Sequence, residues 1–140
     1  MAVLYLGIDG VLLRGTGTAG WELAPHAVRF LRWAIAGHTP FWLTPLAHAG
    51  ISAAFKDCAG WDAELEPLLP AVTTLPWMGT KTAAINMDAD FYWIDANPTP
   101  ADHQALDHHG CRSRWIEVDA NVFLDALLAA MTVVDVLGGR

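Results

Sequence analysis

The chain has 140 residues, of which 54% are hydrophobic and 10% aromatic; eight Lys and Arg against fifteen Asp and Glu give a net charge of −7. This composition excludes a disordered polypeptide, and the acidic balance removes any general attraction to nucleic acid or to an anionic membrane. No apolar run approaches the ~20 residues that a membrane-spanning helix needs. Cys58 and Cys111 form neither a C-x-x-C pair nor a disulfide-dense pattern. No basic segment precedes the apolar start and Asp9 interrupts it early, so no secretory signal is expected. The expectation is one domain over residues 1–140, reduced and cytoplasmic.

Val3, Leu4, Tyr5 and Leu6 run without interruption, as in a strand buried on both faces of a sheet, and Gly7, Ile8, Asp9 and Gly10 follow before Val11 and Leu12. A carboxylate just past a buried parallel strand is where open α/β sheets build their sites. Residues 14–20 are rich in Gly and Thr and read as a loop. Over 25–36 the apolar residues recur near helical spacing, with Pro25 tolerated in a first turn and Gly37 as a stop. Phe41, Trp42 and Leu43 make a second short strand, closed at Thr44 because Pro45 drives Thr44 extended.

A short helix is expected over 51–59. The Pro-rich stretch that follows leaves 71–75 as either a third strand or a loop. Residues 79–87 read as a short helix with Lys81, one of two lysines, in its first turn. Phe91, Tyr92, Trp93 and Ile94 form a further buried strand ending in Asp95. Residues 97–110 are polar and read as a loop carrying His103, His108 and His109, with Cys111 just beyond. No second Cys or His pair stands at zinc-site spacing, which favours a solvated loop over a zinc centre. Arg112 and Arg114 form either a local basic patch or, better, two solvated arginines flanking a fifth strand over 113–118. Asp119 is placed to cap a final apolar helix ended by Gly138 and Gly139. Of the seven tryptophans, Trp42 and Trp93 fall inside strands and read as core; Trp21, Trp61 and Trp77 fall in loops.

The segment Gly7-Ile8-Asp9-Gly10-Val11-Leu12 resembles the first motif of the haloacid dehalogenase (HAD) superfamily, a strand followed by D-x-D-G and two apolar residues. Thr44, Lys81 and Asp95 stand, in order, where that family carries its second, third and fourth motifs. The resemblance implies a doubly wound, mostly parallel five-stranded Rossmann-like sheet with the first strand central, the second and third on one side and the fourth and fifth on the other. About thirty residues separate Asp9 from the second strand, too few for a folded cap. In this the chain is similar to small capless HAD domains of uncharacterised bacterial proteins and RNA-repair fusions.

The same resemblance implies roles. Asp9 would be the general acid/base, Thr44 a hydrogen-bond donor to a phosphoryl oxygen, Lys81 the cation that neutralises phosphate and holds the nucleophile, and Asp95, with Asp9, the Mg²⁺ site. Gly7 stands where the nucleophilic Asp belongs, and Ala96 where paired-acid versions carry a second metal ligand, with Asn97 or Asp102 as substitutes. Mg²⁺ binding is therefore expected to be weak or lost. The preferred expectation is a phosphohydrolase fold with a degenerate site and little or no normal turnover, its ligand, if any, a phosphorylated small molecule or a phosphoester end. The alternatives are an active Mg²⁺-dependent phosphatase with an altered nucleophile position, and a protein-interaction module that reuses the scaffold.

Overall fold

The computed structural model describes residues 1–15, 20–46 and 48–138. The N-terminal apolar run forms β1 (Val3–Leu6). A hairpin of β2 (Leu13–Gly15) and β3 (Trp21–Leu23) follows, then α1 (Ala27–Gly37), β4 (Thr39–Trp42) and α2 (His48–Asp57). The chain continues through β5 (Thr73–Thr74), β6 (Phe91–Asp95), α3 (Pro100–His108), β7 (Trp115–Glu117) and α4 (Ala126–Gly138). Five strands pair in parallel in the order β5-β4-β1-β6-β7, with helices on both faces, so the fold is α/β, doubly wound and Rossmann-like. β1 is central, as expected.

Side-chain alternation along the central strands divides the core in two. Leu4, Leu6, Trp42, Tyr92 and Ile94 face α1, α2 and α4, whose Phe30, Leu31, Phe55, Leu127 and Val134 are buried against them. Tyr5, Phe91 and Trp93 face the opposite way, toward Leu106 of α3 and Ile85. Trp42 and Trp93 are wholly buried. Leu4 and Leu6 are too, each contributing about 2 kcal/mol of transfer free energy. No helix among the described residues is long and apolar enough to cross a membrane.

Several local expectations change. The polar loop over 97–110 is largely helix, because Thr99 and Asp102 form a reciprocal capping box and Pro100 occupies the first turn. The third strand shrinks to Thr73–Thr74, bracketed by Pro70 and Pro76, and the 3₁₀ turns Ala63–Leu65 and Leu69–Ala71 take up the preceding chain. Lys81 opens a 3₁₀ turn, Lys81–Ala84. Pro25 precedes α1 rather than joining it, and His26 at φ 69° takes the N-cap position. Asp119 caps no helix: it holds a turn, accepting from the amides of Asn121, Val122 and Phe123, and α4 begins only at Ala126. The loop expected over 14–20 is a hairpin at both ends, and its residues 16–19 lie outside the described residues.

Candidate functional site

Parallel pairing sets Leu6 beside Ile94, and the Gly7 amide continues the ladder by donating to the Ile94 carbonyl at 2.9 Å. Gly7 and Asp95 are therefore neighbours at the carboxyl ends of β1 and β6, at the point where strand order reverses. The Asp95 carboxylate bends over Gly7. A Cβ built on Gly7 would lie 2.5 Å from Oδ1, 2.6 Å from Cγ and 2.8 Å from Oδ2 of Asp95. Gly7 does not adopt a positive φ, so this close approach, and not backbone conformation, is what requires glycine there. Gly10 differs: at φ 78° it closes the turn after Asp9, and its carbonyl accepts from the Ala120 amide at 2.7 Å.

Asp95 is 4% exposed and both its oxygens are engaged. Lys81 Nζ donates to Oδ2 at 2.7 Å and Trp93 Nε1 to the same oxygen at 3.2 Å, while the Ala96 amide donates to Oδ1 at 2.8 Å. Trp93 precedes Asp95 by two residues and so lies on the same face of β6. Lys81 reaches the pair from its 3₁₀ turn, and that turn is anchored by Asp102. Asp102 Oδ1 accepts from the Thr82 amide at 3.1 Å and the Thr82 hydroxyl at 2.8 Å, and its Oδ2 accepts from the amide and hydroxyl of Thr99. Burial pushes the Asp102 carboxyl up, but these four donors from Thr99 and Thr82 outweigh it and hold the group below the usual carboxylate range. Asp102 thus anchors the turn that carries Lys81, with both of its oxygens engaged by Thr82 and Thr99.

Thr44 follows β4 at the same edge and is buried. Its Oγ1 accepts from the Leu46 amide at 3.4 Å, and its carbonyl accepts from Trp77 Nε1 at 3.0 Å. It opens onto a cavity of about 540 Å³ walled by Leu46, Thr74, Leu75 and Trp77. Asp9 is exposed, held outward by a turn in which the amides of Val11, Leu12 and Leu13 all donate to the Ile8 carbonyl. Among the described residues, neither Asp9 nor Thr44 bonds to the Lys81–Asp95 pair. The fold thus joins Gly7, Lys81 and Asp95 directly and leaves Asp9 and Thr44 on the surrounding rim.

As arranged, these donors do not fit Mg²⁺, which asks for a near-octahedral shell of oxygens. Asp95 gives both oxygens to protein donors, one of them an ammonium, and no group of three or more His, Cys, Asp or Glu among the described residues is placed to hold a metal ion. Chemically, the centre is a nearly closed internal ion pair beside an exposed carboxylate.

Among the described residues, no hydrogen bond joins His103, His108 or His109 to the Lys81–Asp95 pair. His103 meets the Trp115 ring edge-on and His108 meets His109. Cys111 Sγ contacts Met87 Sδ at 3.4 Å, and burial pushes its thiol up, away from the thiolate that metal binding needs. Arg112 is bidentate to Asp107, and Arg114 pairs with Asp90 at 2.7 Å over the Tyr92 ring, so neither offers an unpaired charge. Sequence reasoning missed Trp93, Thr82 and the anchoring role of Asp102; the T-x-x-D spacing of Thr99 and Asp102 carried a legible cap signal. No family model matches this chain, and no curated protein matches it either.

Proposed function

We propose that the chain is a HAD-like, phosphohydrolase-fold protein with a degenerate active site and little or no normal turnover. The observation that carries this reading is the 2.5 Å approach of Asp95 Oδ1 to the Cβ position of Gly7. The volume a nucleophilic carboxylate would fill is taken by Asp95, and the cation that would hold that nucleophile is already bound to Asp95 at 2.7 Å. Asp9 remains free to exchange a proton with a leaving group, but it has no covalent intermediate to serve. A phosphate group approaching Lys81 must compete with a buried carboxylate, which makes phosphoester binding weak at best, and Mg²⁺ binding is weak or lost on the same grounds. The ligand class, if one is retained, is a phosphorylated small molecule or a phosphoester end, and the compartment is the cytoplasm.

The test is phosphate release from an aryl phosphate with Mg²⁺, comparing the unaltered chain, Lys81→Met and Gly7→Asp. The unaltered chain should match the blank. Turnover by it that Lys81→Met abolishes would overturn the reading. Turnover confined to Gly7→Asp would locate the degeneracy at Gly7 alone, with Asp95 swung out to make room.

A further inference from the structure

Val122, Phe123 and Leu124 are consecutive and are 66%, 68% and 58% exposed, where the sequence reads them as part of the final apolar helix. Three large apolar side chains in a row at the surface, outside any regular element, are what contact with a partner accounts for and a lone domain does not. Of these, Phe123 lines a groove of about 380 Å³ together with Ala126 and Ala129, and the carboxylate residues Glu117, Asp119 and Asp125 complete its lining. The apolar surface continues along α4 through exposed Val133, Val136 and Leu137. Hydrogen bonds tie the loop to the sheet edge: the Ala120 amide donates to the Gly10 carbonyl, Asn121 Oδ1 accepts from the Gly15 amide at 2.7 Å, and Asp119 accepts from the Asn121 amide.

The rim decides what fits. None of the groove's lining residues is basic. Asp119 uses one oxygen on Asn121, Asp125 uses one on His26 Nε2 at 2.9 Å, and Glu117 is exposed. A second copy of the chain fits poorly, because α4 carries no Lys or Arg and each copy brings the same acidic rim and a charge of −7. A long basic side chain fits well: its aliphatic stem lies on Phe123, Ala126 and Ala129 while its head meets the carboxylates.

We propose that this groove and its exposed apolar rim dock a peptide segment of a partner protein in which basic side chains flank an apolar anchor. The surface is independent of turnover at Gly7 and Asp95.

The experiment uses the full chain and a fluorescently labelled amphipathic peptide with a leucine face flanked by arginines, against the same face flanked by glutamates. The arginine peptide should bind at least about tenfold more tightly, and added salt should weaken it while it does not weaken the glutamate peptide. Phe123→Ser should weaken it about tenfold without shifting the melting temperature, with Leu124→Ser as the second variant should the first fold poorly. The pair Glu117→Gln and Asp119→Asn should weaken it, while Asp57→Asn with Asp88→Asn, which remove the same charge elsewhere, should not. Equal affinity for both peptides, equal losses from the two charge-removal pairs, or self-association of the unaltered chain that Phe123→Ser abolishes would each overturn the proposal.

Discussion

Between Gly7 and Asp95 two neighbouring strands share one side chain, and the missing Cβ is what lets the carboxylate lie over β1. Gly7→Ala should therefore cost about 1–3 kcal/mol in urea denaturation, as overpacking against a bound carboxylate. In an Asp95→Ala background the same change should cost less than about 0.5 kcal/mol, since the colliding atoms are gone. Equal costs in both backgrounds would show that glycine is needed for another reason. Lys81 gives the complementary test. Lys81→Met leaves the Asp95 carboxylate buried without its cation and should lose about 3 kcal/mol. Adding Asp95→Asn should restore at least half of that loss, measured the same way. Gly7 was legible as a departure from the D-x-D-G pattern. That the Asp95 carboxylate lies over Gly7 was not, because Asp95 had been read only as a metal ligand.

The element that sets the cation is α3, all of which was read as loop because its only fully buried apolar residue is Leu106. Its stability and the placement of Lys81 both pass through Asp102. Its carboxyl titrates below the usual 3.8 in the folded chain, so its stabilisation is complete above that value and is lost as pH falls through the lower folded value. Asp102→Asn should lower stability by about 2 kcal/mol at neutral pH. The gap to the unaltered chain should narrow below pH 3.8; a gap constant with pH would mean that the lost shape, not the charge, matters. The loop after β7 is the other misread element. Its apolar residues share the composition of α4, but Asp119 ties its own turn and delays the helix to Ala126. Periodicity alone could not mark where that turn ends.

For the whole molecule, the parallel order β5-β4-β1-β6-β7 places the best-supported backbone at the centre. Amide exchange should be slowest in β1 and β6, intermediate in α1, and fastest in the β2–β3 hairpin and two-residue β5, which have few pairing partners. If β5 exchanged as slowly as β1, the sheet would open as one unit. The buried strands β1, β4, β6 and β7 followed from the sequence by itself, because apolar run length and Pro and Gly breaks are local quantities; the strand order came only with the family resemblance, and the β2–β3 hairpin was not foreseen. Only the tertiary structure decided that Asp95 covers Gly7, that Asp102 anchors the Lys81 turn, and that residues 122–124 face solvent. The first two require side chains from separate elements to meet across the paired sheet, and the third depends on where a turn hands over to a helix.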